Sequence, residues 1–341
     1  CGFLGKTANS MEELTAILKD AINEQMKNNK TTFIEVMLNQ ESKDFLEERK
    51  VLGGKPLQDL NPNEARIQFN KAKEVFPLPE IEILSVENKE FQINDAKIKF
   101  RIFCDSKEKN IPLLVNFHGG GWVLGDLDAD DDMCRYLAKT SGHKVISVDY
   151  RLAPENKFPI PLQDCYKSVK YIIDNHEDFN INPNKISLCG TSAGGNLAAA
   201  VSFLFRDLNK DHIKNQILFT PVMNNDFETD SYNEFSEGFG LEKESMIWFW
   251  NHYIDGDVNK ANKFSAISKD DQNNNLPRTF IITAECDVLR TEAEIYFENI
   301  KNNIESKILM YKGALHGFNV NIGKISDSKS CLDEVSKFLK S

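Results

Sequence analysis

The sequence predicts an α/β fold built on a mostly parallel sheet, and three observations carry that expectation. From Ile111 onward, short continuous apolar runs alternate with segments of helical periodicity, as buried parallel strands and their crossover helices should. One such run, Ile186-Ser187-Leu188-Cys189, enters Gly190-Thr191-Ser192-Ala193-Gly194-Gly195 and leaves as an Ala- and Leu-rich helical stretch. Ahead of Ile111 the period is two instead. Ile81-Glu82-Ile83-Leu84 and Ile98-Lys99-Phe100-Arg101-Ile102 alternate like half-buried antiparallel strands.

The elements follow in order. Leu14, Ile17, Leu18, Ile22 and Met26 repeat at helical spacing, and Phe33, Ile34, Met37 and Leu38 begin a second stripe. Gly53-Gly54 and Pro56 break the pattern, and Asn61-Pro62-Asn63-Glu64 reads as a helix start. Residues 1–75 are therefore expected as an N-terminal helical cap segment, ahead of a body spanning 76–341. Within the body, Ile111 to Phe117 and Lys144 to Asp149 are buried strands, and a helix runs from about Pro161 to His176. The Ile186 strand and the Ala193 helix come next, then strands at Gln216 to Thr220 and Thr279 to Ala284. A helix near Glu292 to Lys301, a strand at Lys307 to Tyr311 and a last helix with Leu332, Val335 and Leu339 inward complete the series. Residues 224–260 interrupt the alternation. Phe235, Phe239, Trp248, Phe249 and Trp250 make this stretch an aromatic-rich helical insertion, expected to complete the cap.

Composition narrows the function classes. The 341 residues are 41% hydrophobic, ample for one large core with a smaller lid. A net charge of −11 argues against nucleic acid, which calls for a basic patch. No apolar run reaches the roughly 18–20 residues of a membrane span. The seven cysteines stand singly, with no C-x-x-C pair and no zinc-type spacing, so they read as small core residues rather than a disulfide framework or a metal site. A start at Cys1-Gly2 followed by a polar tether to Ser10 resembles a processed bacterial lipoprotein; the other reading of that end is an arbitrary boundary. The expected location is cytoplasmic, or membrane-anchored if Cys1 is a processed terminus.

The chemistry centres on Ser192. A G-x-S-x-G pattern arises by chance in about one chain of this length in ten, so its context must decide. Strand, glycine-flanked serine and helix together make a nucleophile elbow, which pushes the hydroxyl out beside the free N–H groups of a helix start. The strand ending at Phe117 runs into His118-Gly119-Gly120-Gly121-Trp122, where bare amides can approach a substrate carbonyl. Gly119 and Gly120 are the expected oxyanion donors, with Ala193 as the third, and His118 is expected to hold the loop. An acid and a base should follow the serine in that order. Asp287 lies just past the Phe280 to Ala284 strand, and His316 just past the Ile308 to Tyr311 strand. His316 would take the serine proton and Asp287 would fix its tautomer. Glu285 is the rival acid, two residues nearer its strand. His143, His176, His212 and His252 read as surface or structural residues. Trp122 and Phe318 are candidates for the substrate-pocket wall.

The combination of HGGGW, VDYRLAPENKFP from Val148 to Pro159, GTSAGGN and the Asp…HGF ending resembles the hormone-sensitive-lipase family of carboxylesterases, over roughly Asn61 to the C-terminus. The resemblance implies the α/β-hydrolase fold with an eight-stranded sheet, a two-part cap, a Ser192/Asp287/His316 triad, no cofactor and no metal. It also implies hydrolysis of small-molecule carboxylic esters with short- to medium-chain acyl groups. The chain departs from the family pattern at Thr191, where Asp is commoner, a feature of a GTSAGG sub-branch. It departs again at Val288, where Pro usually follows the acid, and in a longer N-terminal stretch. An amide-cleaving relative, such as an arylformamidase or deacetylase, is the alternative activity. A ligand receptor that has lost catalysis is the alternative of another class. Contacts of the cap and the final strand are where a homodimer would form.

Overall fold

The computed structural model describes residues 38–75, 81–93, 95–269 and 274–341. The expected stripe over Leu14 to Met26, the start of the second at Phe33 to Met37, and Cys1 lie outside the described residues.

Eight strands form one sheet: β1 (Ser85–Ile93), β2 (Ala96–Cys104), β3 (Ile111–Phe117), β4 (Lys144–Asp149), β5 (Ile181–Thr191), β6 (Ile213–Phe219), β7 (Arg278–Cys286) and β8 (Ser306–Leu315). Their spatial order is β1-β2-β4-β3-β5-β6-β7-β8. Strand β2 is antiparallel to both its neighbours, and every pairing from β4 to β8 is parallel. Alternate side chains divide between two cores. Leu113, Val115 and Phe117 face a core completed by the Ile160–Asp174, Ala193–Asp207 and Arg290–Ile300 helices, while Leu114 faces a second one with the Asp131–Ser141 and Ser326–Lys340 helices. Leu332, Val335 and Leu339 point into that second core, as their spacing predicts.

The first strand is displaced from its expected place. Ile81 to Leu84 is irregular, and β1 begins at Ser85, pairing Ser85 with Cys104 and Ile93 with Ala96. Its middle is exposed because it is an edge strand bonded to β2 alone, so no apolar alternation marks it. Continuous apolar runs, by contrast, mark the buried strands β3 and β4 well.

Six cysteines are described, all free, and only Cys104 is not fully inside. Burial pushes the thiols of Cys134, Cys165, Cys189 and Cys331 well above their ordinary range and that of Cys286 up to about 12, as befits inert core residues. Among the described residues no helix is long and apolar enough to cross a membrane.

Candidate active site

The turn between β5 and the Ala193–Asp207 helix puts Ser192 at φ +59°, ψ −119°, a left-handed backbone that a side-chain-bearing residue rarely adopts. Three hydrogen bonds impose it. The Ser192 N–H donates to Phe219 O (2.8 Å), and its carbonyl accepts from Asn196 N (3.0 Å) and Val222 N (3.2 Å). Asn196 also donates its amide Nδ2 to Val222 O and Ser265 O at 3.0 and 2.8 Å, so one residue of the helix fastens the elbow to the loop after β6. Gly194 is required by close approach: a Cβ there would overlap the Phe117 carbonyl oxygen. The serine is 6% exposed, at the carboxyl edge of the parallel strands.

The loop after β3 lies alongside. A Cβ on Gly119 would sit 3.7 Å from Cβ of Ser192, and among the described residues the N–H groups of Gly119 and Gly120 donate to no backbone acceptor. Ala193 begins its helix, so its N–H has no partner within that helix. His118 holds the loop, as expected. Its ring stacks on Tyr150 (centroids 4.4 Å apart), its Nδ1 donates to Gly119 O (2.8 Å), and its carbonyl accepts the Tyr150 hydroxyl (2.8 Å).

On the other side of Ser192, the His316 Nδ1–H donates to Asp287 Oδ2 at 2.8 Å. The second carboxylate oxygen of Asp287 accepts the Leu289 N–H at 3.0 Å, and the Asp287 side chain is 1% exposed. Asn319 ties this loop to the elbow by donating to Thr191 Oγ1 (2.8 Å), next to Ser192. Among the described residues no hydrogen bond joins His316 to the Ser192 hydroxyl in this structure. Such a contact commonly tightens only when substrate binds. Glu285, the rival acid, is engaged elsewhere: its Oε2 accepts the Gly313 N–H at 2.7 Å, bracing β7 to β8 where their register shifts. Nearby Glu292 is fully buried, accepts the Met223 N–H (2.6 Å), and has its carboxyl pushed well above the usual range by burial.

Two flanking segments contact these loops. The first carries the Gln40–Leu52 and Pro62–Val75 helices, the second the Lys243–Tyr253 helix, and Trp248 Nε1 joins them by donating to Leu60 O (3.2 Å). Each loop of the site is gripped from outside. Asn39 N donates to Gly313 O (3.2 Å), Glu41 accepts from Ser326 N (2.7 Å) and Glu48 pairs with Lys324 (2.8 Å), all around the His316 loop. Ser231 Oγ donates to Val288 O (2.6 Å) and Glu234 pairs with Arg290 (2.9 Å), beside Asp287. Arg66 binds the loop after Gly120. A groove of about 780 Å³ opens between the first segment and residues 238–245, with Leu46, Leu57, Phe69, Leu124 and Leu241 among its lining.

Trp122 and Phe318, the expected pocket wall, are corrected by their packing. Trp122 is 0% exposed, stacked on Tyr253 at 4.1 Å and edge-on to Trp250 at 4.9 Å. Phe318 is 1% exposed and belongs to the second core, against Tyr311. Neither ring has surface to offer a ligand. The aromatic that does stand over the glycine loop is Phe249, whose ring occupies the place a Cβ on Gly121 would take. Asn196, Asn319 and Arg66 were also missed by sequence reasoning. Their only signal is adjacency, the two asparagines closing the GTSAGGN and HGFN runs.

A mostly parallel eight-stranded sheet with this elbow and this His–carboxylate pair at its carboxyl edge defines an α/β hydrolase. Residues 114–320 match a family model described as alpha/beta hydrolase fold, and the chain belongs to that family, in its hormone-sensitive-lipase-like branch. An arylesterase of Saccharolobus solfataricus is 33% identical over 244 residues, covering 71% of this chain and 79% of that one. The carboxylic ester hydrolase LipN of Mycobacterium tuberculosis is 34% identical over 263 residues, 74% of this chain and 69% of the relative. Among solved structures, a thermostable esterase from Pseudomonas putida ECU1011 superposes with a TM-score of 0.85 at 27% identity, covering 89% of this chain and 97% of the other. The protein is a hydrolase of carboxylic esters.

Proposed function

We propose that the chain is a serine carboxylesterase working through an acyl-enzyme. Ser192 is the nucleophile, His316 the general base and acid, and Asp287 the residue that orients the imidazole and stabilises its cation. The observation that carries this reading is the 2.8 Å His316–Asp287 bond, on a loop that Asn319 ties to the residue preceding Ser192. As Ser192 Oγ attacks the ester carbonyl carbon, His316 Nε2 takes the hydroxyl proton. The carbonyl oxygen becomes an oxyanion facing the N–H groups of Gly119, Gly120 and Ala193. Collapse breaks the bond to the alcohol, which leaves with the proton from His316. Water then repeats the sequence on the acyl group and frees Ser192.

Residues 38–75 and 224–260 act as the two-part cap in this reading. The groove that Leu124 helps to line is the path for the apolar part of the ester in this reading, because the Leu124 main-chain carbonyl lies against Gly120. Short- to medium-chain acyl esters are the proposed substrates. Hydrolysis of p-nitrophenyl acetate, butyrate, octanoate and palmitate by the wild type and Ser192→Ala tests the proposal. Turnover of the short esters, lost at least about 10³-fold in the variant, is the expected result. Wild-type turnover that survives Ser192→Ala would remove the serine from the mechanism.

A further inference from the structure

We propose that Arg66 is a positioning residue for the oxyanion loop, clamping the turn that follows Gly119 and Gly120 to the 151–155 segment and so setting where those two amides point. The inference rests on the assignment of Gly119 and Gly120 as oxyanion donors.

The loop needs an outside clamp because of its backbone. Gly120, Gly121 and Trp122 lie at φ +116°, +58° and +61°, three consecutive residues in the left-handed region. For Trp122 that conformation is unfavourable, so the surrounding contacts must over-determine it. Within the loop, Gly120 O accepts from Val123 N (3.1 Å) and Leu124 N (2.8 Å). Across to the next segment, Ala153 N donates to Trp122 O at 2.9 Å. Arg66 closes the ring of contacts: Nε donates to Val123 O and Nη2 to Ala153 O, both at 2.9 Å. One side chain thus grips both segments beside the point where they already touch.

The guanidinium is itself held. Glu155 accepts from Nη1 at 2.8 Å and from Nη2 at 2.7 Å, a fork that fixes the plane of the group. The hydrogen bond from the Arg66 guanidinium in turn holds the Glu155 carboxyl below its usual range, which favours the carboxylate. The carrier helix, Pro62–Val75, is fixed at its start by a reciprocal cap, with Asn61 N donating to Glu64 Oε2 and Glu64 N to Asn61 Oδ1, each at 3.0 Å. A lysine offers a single nitrogen and cannot reach two carbonyls while forking a carboxylate.

The test compares wild type, Arg66→Met, Arg66→Lys and Glu155→Gln by steady-state turnover of p-nitrophenyl butyrate. A trifluoromethyl ketone, which binds as a tetrahedral oxyanion adduct, is measured as inhibitor of each. For Arg66→Met kcat should fall about 10- to 100-fold, the scale of a displaced donor, with KM nearly unchanged. The ketone's affinity should fall in proportion to kcat/KM. Arg66→Lys should restore little, and Glu155→Gln should cost less, since it leaves both carbonyl bonds in place. If Arg66→Met does not fold, Arg66→Lys set against Glu155→Gln carries the comparison, because only the first of these alters the bonds to the two carbonyls. Wild-type kcat in the Arg66 variants, or a change confined to KM and thermal midpoint, overturns the proposal, as does unchanged ketone affinity. A wild type that is active and silenced by Ser192→Ala, with indifferent Arg66 variants, removes this inference alone. A wild type inactive on every ester removes the esterase reading and this inference with it.

Discussion

Replacing Asp287 by Asn changes one atom of a pair whose geometry dictates the outcome. In the native protein Asp287 Oδ1 accepts the Leu289 N–H (3.0 Å) while Oδ2 accepts His316 Nδ1–H (2.8 Å). An amide has one acceptor for these two demands. If its oxygen keeps Leu289, its NH₂ faces Nδ1, which must then give up its proton. The proton moves to Nε2, and the imidazole can no longer accept one from Ser192. If the amide flips, its NH₂ meets the buried Leu289 N–H, leaving a donor unpaired at a cost of about 1–3 kcal/mol. The unproductive form is thereby favoured by about 5- to 150-fold. The neutral amide also fails to stabilise the imidazolium, so the combined loss in kcat should be about 10³–10⁴-fold, or roughly 4–5.5 kcal/mol of barrier. Initial rates on p-nitrophenyl butyrate measure it, with circular dichroism to show that the variant is folded. Glu285→Gln is the internal control, because a glutamine oxygen can still accept the Gly313 N–H, and its kcat should stay within about threefold of wild type. Asp287→Asn retaining more than about a tenth of wild-type kcat would refute the reasoning. So would Glu285→Gln losing as much as Asp287→Asn.

Two further outcomes follow from packing and burial. Gly194→Ala puts a methyl into the Phe117 carbonyl oxygen and within 2.6 Å of His118 O, both rigid backbone, so it should cost about 3 kcal/mol or more in urea denaturation and abolish turnover. Gly317→Ala, with no atom of the described residues beyond its chain neighbours within 4 Å of its Cβ but φ +68°, should cost only the left-handed backbone penalty of about 1 kcal/mol. Equal stability of wild type and Gly194→Ala would contradict the elbow packing. His143 is 6% exposed, and burial, aided by Lys185 and Lys340, lowers its pKa from 6.5 to about 4 despite its bond to Ser141 O. The unfolded chain therefore binds a proton that the folded chain refuses between those values, and stability falls as pH drops from 6.5 toward 4. The full gap corresponds to up to about 3 kcal/mol. His143→Gln should flatten the pH dependence of the urea midpoint in that window, and identical slopes in the two proteins would show that the burial carries no such cost.

The parts of this fold that were legible in the sequence are those where one physical demand dominates. Strands β3 and β4 must be apolar on both faces, and their runs say so; β1, at the edge, answers to no such demand and was placed too early. Asp287 and His316 are legible as a pair because each follows an apolar strand in the order that the serine requires, and the structure hydrogen-bonds them to each other. The choice of Asp287 over Glu285 could be argued only from loop position, whereas the structure adds a reason: Glu285 is occupied by Gly313. Trp122 and Phe318 misled because proximity in sequence to a motif does not say which side of the backbone a ring takes. At φ +61° the Trp122 side chain turns into the core, and no pattern of residue types announces a positive φ at tryptophan. Arg66, Asn196 and Asn319 act across separations of 57, 69 and 128 residues, beyond the reach of any local pattern.

The fastenings of the site loops bear on how substrate range can be altered in this architecture. Asn39, Glu41 and Glu48 hold the loop before and after His316, Ser231 and Glu234 hold the one after Asp287, and Arg66 holds the glycine loop. A roof borrowed from a relative to admit bulkier esters would arrive without these contacts. It would then leave the reacting groups present but unregistered. Grafts that transplant the six fastening residues together with their helices should keep turnover while changing selectivity. With the flanking helices as the proposed cap, the boundary between the part that chooses the substrate and the part that cleaves it therefore does not follow the boundary between helices and sheet.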